Sequence, residues 1–467
     1  MKKSLLKTVS FCLCISSIAL TALTGCSSGV GLGSNDGNVL RVASWDEYID
    51  MGGDVYEGND EDLVAFREFY YDLFSIDLTK SRPLYKEFED WYSEQTGKDI
   101  KVEYVALQDN ETMYNKIKMG DSYDLLCPSE YMAMKLKAED RLIPFDDTFY
   151  ASKTPENHNY YVENESIYTK EIFESAGLTG YIAGYMWGTT GFVFNPDEIG
   201  DSPEEAREIM SSWSCLKSDA CDRKITAKDN VRDSYFMGLG IYYEDELLEL
   251  QANNPDEYKR VLSEWMNDTS VDTMSGVKKE LINVRKNLYG LETDEGKTDM
   301  IMGRLDASYQ WSGDAVFILD EAEKESDLLL EYSIPKSASN LWFDGWVMME
   351  DDQKDAAQAF INFLSMPQNV IRNMYYIGYT SCVAGSQVYD YVEFTYGEEE
   401  NAHDTTTYDL SYFFGQDYAP LTVAVEQTRR QLFAQYPDAI TKERLVVMNY
   451  FDKKTNERAN RMWNNIK

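Results

Sequence analysis

The sequence predicts an α/β fold. Apolar runs of strand length alternate with amphipathic runs of helical period. Turn and breaker residues such as Gly97 and Pro128 stand between them. A length of 467 residues with a 43% hydrophobic share is enough for a substantial core, and predicts two domains.

The elements follow in order. Val39 to Ala43 alternates as a buried first strand. An acidic, aromatic stretch, Asp50 to Asp77, carries Leu63, Phe66, Phe69, Tyr70 and Leu73 at helical spacing, which predicts a helix over Asp62 to Phe74 that packs on the domain, in preference to covering a cleft or touching a partner. Arg82 to Gly97 reads as an amphipathic helix, and Ile100 to Val105 as a strand. Asp109 is placed to cap the helix that follows. Tyr123 to Cys127 reads as a short buried strand that Pro128 ends, because proline lacks the ladder's N–H donor. Tyr181 to Asn195 predicts a near-continuous apolar strand pair. Ile225 to Tyr235 leads into a helical run, and Glu244 to Glu295 is helical in period through Val261, Leu262, Trp265, Val277, Leu281, Val284 and Leu288. Asp306 to Gly313 predicts a strand then a turn; Leu328 to Pro335 and Leu341 to Met348 predict strands. Asp355 to Leu364 is an amphipathic helix ended near Pro367, Tyr389 to Pro420 reads as irregular, and Leu421 to Lys467 as helical. No internal repeat is present.

A net charge of −38 argues against nucleic acid and against binding anionic lipid by charge, since phosphates would be repelled. It permits a cationic ligand. Outside the first 26 residues the cysteines are Cys127, Cys215, Cys221 and Cys382, too few for a disulfide scaffold, although Cys215 and Cys221 are near enough in sequence for a local bridge. With only His158 and His403, no Cys/His cluster suggests zinc, and neither a metal nor a cofactor is expected.

The N-terminus reads as a leader. Lys2, Lys3 and Lys7 precede an apolar stretch, Val9 to Leu23, too short for an ordinary membrane span. Leu23-Thr24-Gly25-Cys26 resembles the bacterial lipoprotein processing box, which implies a signal peptide over 1–25 and lipidation of Cys26. Ser27 to Gly37 has flexible-linker composition and would span about 18 Å r.m.s.. Gly29-Val30-Gly31-Leu32-Gly33 follows no strand, so it is linker rather than a nucleotide loop. Residues 26–38 are therefore a tether that holds a globular part outside the cell, close to the membrane.

The chemistry starts at Ser44-Trp45-Asp46-Glu47-Tyr48, where one indole, one phenol and two carboxylates follow the first strand. Ligands of open α/β sheets bind at such strand ends. Carboxylates among aromatic faces suit an organic cation, because the acids neutralise its charge and the rings attract it. Trp342 and Asp344 stand two apart on a strand and so share a face.

These residues carry a resemblance. Ser44-Trp45-Asp46-Glu47-Tyr48 resembles the Asn-Trp-Thr-Glu-Tyr motif of polyamine-binding proteins, the spermidine/putrescine substrate-binding components of ABC importers. Asn110-Glu111-Thr112-Met113-Tyr114, Tyr123-Asp124-Leu125 and Pro128-Ser129-x-Tyr131 follow in matching order, then Trp311, Trp342-x-Asp344 and Ile377-Gly378-Tyr379. The resemblance implies a two-lobed periplasmic-binding-protein-like fold with a ligand cleft between the lobes. It implies a first lobe of 39–187 with 343–387, and a second of 188–342 with 388–467. It implies that Trp45, Asp46, Glu47, Tyr48, Tyr131, Asp233, Trp311, Trp342, Asp344 and Tyr379 contact ligand, that the lobes close on it, and that a membrane permease receives it. A monomer is expected. The chain departs from the family at the 50–77 insertion and at Asn230, where some members have an acid, which leaves ligand length and the number of amines open. Asn449 falls near a polar contact of the family.

Two other readings stand beside this one. A receptor of the same fold for another organic cation or a sugar would also use tryptophans and carboxylates. A glycosidase would use paired carboxylates. Against an enzyme, there is no nucleophile elbow, metal cluster or usable histidine pair.

Overall fold

The computed structural model describes residues 38–150, 158–292, 295–350, 352–399 and 402–467. Cys26 and the stretches expected to form a leader and, up to Gly37, a tether lie outside them. Among the described residues, no helix is long and apolar enough to cross a membrane.

Strand β1 (Val39–Trp45) pairs in parallel with β2 (Lys101–Leu107) and with the short β3 (Leu125–Leu126). The long β4 (Ala183–Phe194) then leaves this group. It is followed by β5 (Ile225–Lys228), β6 (Gly290–Glu292), β7 (Ala307–Trp311) and β8 (Glu331–Ser333). The long β9 (Ser339–Met348) returns, and β10 (Thr380–Ser381), β11 (Thr405–Tyr408), β12 (Leu421–Ala424) and β13 (Leu445–Val447) complete the set. The main sheet runs β2-β1-β3-β9-β4-β7-β5-β6, with β10 and β8 on β4 and β13 on β9.

The two long strands join the lobes. β4 pairs antiparallel with β9 from Ala183 to Thr189, then with β7 and β8 from Thr190 onward. β9 begins beside β13 and ends beside β3. Both are buried at every residue, as strands between two covered faces must be. The sequence expected a strand pair over 181–195; the structure has one continuous twelve-residue strand, because its partner comes from the return crossing.

Two large cores lie on either side of this crossing. The first gathers residues 40–187 and 341–436; the second gathers 192–309 with Ala338 and 446–466, and a smaller cluster around Leu319 and Tyr332 adjoins it. The cores depart from the expected lobe boundaries at two places. The sequence puts 388–467 and 188–342 in the second lobe, yet Val388, Tyr391, Tyr396, Phe413, Phe414, Val423 and Tyr436 pack in the first core, as do Leu341 and Trp342. Three local expectations also change. Tyr389 to Pro420 contains helix Ser386–Tyr396 and the β11–β12 hairpin rather than irregular chain. Leu421 to Lys467 is mixed, and Lys453–Trp463 is its one long helix. β7 runs directly into helix Ser312–Ser326, not into a turn.

The insertion packs as expected. Helix Glu61–Phe74 lays Phe66 on Tyr375 at 3.8 Å and Phe69 on Phe394 at 4.3 Å between ring centroids. Below it, fully buried Asp50 binds the Arg372 guanidinium, which also reaches Glu87 at 2.8 Å. Cys127, Cys215, Cys221 and Cys382 are all free thiols and all buried, so Cys215 and Cys221 are not bridged.

Candidate functional site

A cavity of about 660 Å³ opens where strand ends from both lobes face each other. Trp45, Asp46, Glu47, Tyr48, Tyr131, Asp233, Trp311, Trp342, Asp344 and Tyr379 all line it. Asn449 and the 50–77 insertion do not.

The first-lobe wall is built around Asp344. Its carboxylate is 5% exposed. Oδ2 accepts hydrogen bonds from the Trp45 indole N–H at 3.0 Å and the Tyr48 hydroxyl at 2.7 Å. Oδ1 is buried and takes no hydrogen bond of ordinary geometry, with the Ser129 hydroxyl near the same carboxylate. Burial raises the pKa of Asp344, against the hydrogen bonds from Ser129, Tyr48 and Trp45. No Lys or Arg forms an ion pair with it among the described residues. Glu130, 1% exposed, lies close behind. Burial, and then repulsion from Asp344, push its carboxyl up to about 8. Asp46 and Glu47 sit at the exposed mouth.

Rings complete this wall. Tyr379 lies 5.2 Å from Trp342 and 5.9 Å from Tyr48, centroid to centroid. Two glycines make room for it. A Cβ at Gly188 would collide with Trp342, and one at Gly313 would collide with Tyr379. The indole of Trp342 is further fixed by donating to the Thr189 carbonyl at 3.1 Å.

The second-lobe wall uses the same residue types but already carries cations. Lys228, at the end of β5, holds its ammonium 4.2 Å from the centre of the Trp311 ring and 3.3 Å from Asp314. Lys297 reaches the other oxygen of Asp314 at 2.9 Å. Burial alone would push the Asp314 carboxyl up, but the two lysines outweigh it and hold it below the usual range. Asp233, 4% exposed, accepts from the Trp311 indole at 3.4 Å; burial pushes it up to about 6, against Lys228. Arg232 places its guanidinium 4.6 Å from the Tyr131 ring and 3.7 Å from the Phe451 ring. Asn230 caps helix Val231–Asn253 by accepting from the N–H groups of Arg232 and Asp233.

The sequence reading missed Glu130, Arg232, Lys228, Lys297, Asp314 and Asn340. Glu130 and Arg232 lie inside segments singled out for their neighbours, but charged residues there read as solvated. Lys297 and Asp314 reach the cavity only through tertiary packing.

Among the described residues no cluster of His, Cys, Asp and Glu could hold a metal ion. Buried carboxyls and a ring of aromatics can hold a cation and orient it. The sequence model of the family described as bacterial extracellular solute-binding protein matches residues 84–394, and the chain belongs to this family. Its members bind solutes and are not enzymes. Among curated proteins, the chain is similar to the spermidine/putrescine-binding periplasmic protein of Salmonella typhimurium, 24% identical over 279 residues, 59% of this chain and 68% of that one. It is also similar to the putrescine-binding periplasmic protein PotF of Escherichia coli, 25% identical over 283 residues, 60% of this chain and 70% of that one. Among solved structures, the substrate-binding protein PotD of Streptococcus pneumoniae aligns with a TM-score of 0.55 at 23% identity, over 92% of this chain and 98% of that chain. The Tp0655 lipoprotein of Treponema pallidum aligns with a TM-score of 0.56 at 15% identity, over 92% and 99%. These likenesses establish the two-lobed fold.

Proposed function

We propose that the chain is the extracytoplasmic solute-binding component of an ABC importer, which captures polyamine-type amines and delivers them to a membrane permease. One observation carries the reading. Asp344 is a buried carboxylate held by Trp45 and Tyr48, ringed by Trp342 and Tyr379, and no cation of the protein pairs with it among the described residues. A buried anion of this kind is costly until a cation reaches it. A primary ammonium offers three N–H donors for Oδ1 and its neighbours, and a charge the surrounding rings attract. Charge-assisted hydrogen bonds of about 1.5–3 kcal/mol each and cation–π contacts of roughly 0.5–2 kcal/mol suffice for micromolar or tighter binding.

The proposed site residues are Trp45, Asp46, Glu47, Tyr48, Tyr131, Asp233, Trp311, Trp342, Asp344 and Tyr379. We also propose a monomer, tethered to the outer face of the cell membrane by lipid on Cys26. The test of the ligand class is a thermal-shift and calorimetric panel of putrescine, spermidine, choline, amino acids and sugars. Saturable binding of amines supports the reading, and response to sugars alone overturns it. Small-angle scattering should show contraction of the protein on saturation with amine. Loss of labelled-lipid incorporation in Cys26→Ala supports the tether; unchanged labelling removes it.

A further inference from the structure

Two groups of the cavity lining ask for opposite things. Asp344 Oδ1 is a buried acceptor without a donor of ordinary geometry. Arg232 is 4% exposed and lines the cavity, and its Nε and Nη1 are buried donors without an acceptor. Only Nη2 is engaged, by the Asn449 carbonyl. The Tyr131 and Phe451 rings flank the guanidinium and fix its plane. Asn340, fully buried and on the same face of β9 as Trp342 and Asp344, also lines the cavity with both amide atoms unpartnered. Buried polar groups in a folded protein are nearly always satisfied, so such orphans on residues that line one cavity mark where ligand atoms belong.

We infer that the ligand is an amine whose far end is a hydrogen-bond acceptor, a carbonyl or a carboxylate, with its ammonium on Asp344 and its acceptor on Arg232. This rests on the reading of Asp344 as the seat of an ammonium group. An unmodified diamine would bring its second ammonium toward Arg232, Lys228 and Lys297. The buried acids beside the two lysines are already engaged, and Glu111, the other acid next to Arg232, takes the Tyr131 hydroxyl. Asp314 is held by both lysines, and Asp233 takes the Trp311 N–H beside Lys228. A carbonyl or carboxylate oxygen instead meets an idle N–H of Nε or Nη1, the parallel Nε/Nη2 pair being closed by the Asn449 carbonyl on Nη2. Asn340, also on the lining, can serve either kind of group through its N–H or its oxygen.

The experiment is calorimetry on the intact protein with four probes: putrescine, spermidine, N-acetylputrescine and 4-aminobutyrate. N-acetylputrescine or 4-aminobutyrate should bind at least about tenfold tighter than putrescine, and which of the two wins separates a carbonyl from a carboxylate. Arg232→Met should erase this preference, and Arg232→Lys should restore part of it for 4-aminobutyrate only, since a lysine keeps the charge without the planar donors held between Tyr131 and Phe451. Lys297→Gln, at a more exposed position, should improve spermidine binding. If Arg232→Met fails to fold, the wild-type ranking and Lys297→Gln still decide. Spermidine or putrescine binding as tightly as the acceptor-ended probes overturns this inference and leaves the amine reading standing. Binding by none of the four overturns the amine reading itself.

Discussion

The two walls of the cavity are made of the same materials and do different work. Each has buried carboxylates beside an indole: Asp344 with Trp45, and Asp233 with Trp311, while Tyr379 of the first wall reaches across to Asp314. On the second wall Lys228 already lies over the indole and Lys297 already neutralises the acid. On the first wall no such pair forms among the described residues. The comparison teaches that an aromatic-and-acid motif does not by itself define a cation site. What matters is whether the fold supplies the counter-charge or leaves it to the ligand.

The largest effect expected from breaking this asymmetry is on Asp344. Asp344→Asn should weaken amine binding by about 100-fold, since it strips the charge partner from an ammonium for roughly 3 kcal/mol. Calorimetry checks it, and a change under threefold would mean the ammonium sits elsewhere.

Next comes pH. Glu130 stands at about 8 and Asp344 is raised, both chiefly by burial. An ammonium arriving beside them favours their ionised forms, so binding should release protons and affinity should rise with pH between 6 and 8. A rise of roughly tenfold is expected, and Glu130→Gln should flatten most of it. Titration in buffers of different ionisation enthalpy counts the protons; no release would separate Glu130 from the ligand site.

A smaller effect is expected on the second wall. Trp311→Phe should cost binding no more than about threefold, because the indole face already holds Lys228 and the remaining contact is worth roughly 0.5–1 kcal/mol. A loss matching that of Asp344→Asn would show that Lys228 leaves the ring when ligand binds.

The smallest expected change is in the stability of the ligand-free protein. Glu130 and Asp320 are held up to about 8 and about 7 by burial. Their folded-state values lie above the unfolded ones, so their contribution is fully present below the usual carboxyl range. It is lost as pH rises through 7 to 8. The melting temperature should fall by roughly 2–4 °C from pH 5 to 8, and Asp320→Asn should reduce the fall.

Much of the first wall was legible in the sequence. A strand ending in Ser44-Trp45-Asp46-Glu47-Tyr48 sets two rings and two acids at one point, and a Trp-x-Asp spacing puts both side chains on one strand face. The second wall was half legible. Asp233 and Trp311 were named, but Lys228 at a strand end and Lys297 in a charged helical region look like ordinary solvated cations. Nothing local says that a β5 lysine and a helix-borne lysine converge on Asp314 through the packing of three distant segments. Glu130 reads as a helix's first-turn acid, a common place for one; it is buried because β9 lies over it, with the Phe343 N–H 3.4 Å away. The same limit explains residues 388–436. Their tyrosine-rich pattern has no clean period, and the first core that absorbs those rings is formed by chain hundreds of residues earlier.

The most direct measurement is a crystal structure of the protein with a bound amine. The account predicts the ammonium nitrogen about 3 Å from Asp344 Oδ1, within the rings of Trp45, Tyr48, Trp342 and Tyr379, with Lys228 still over Trp311. An ammonium found instead between Asp233 and Asp314, with Lys228 and Lys297 displaced, would contradict it.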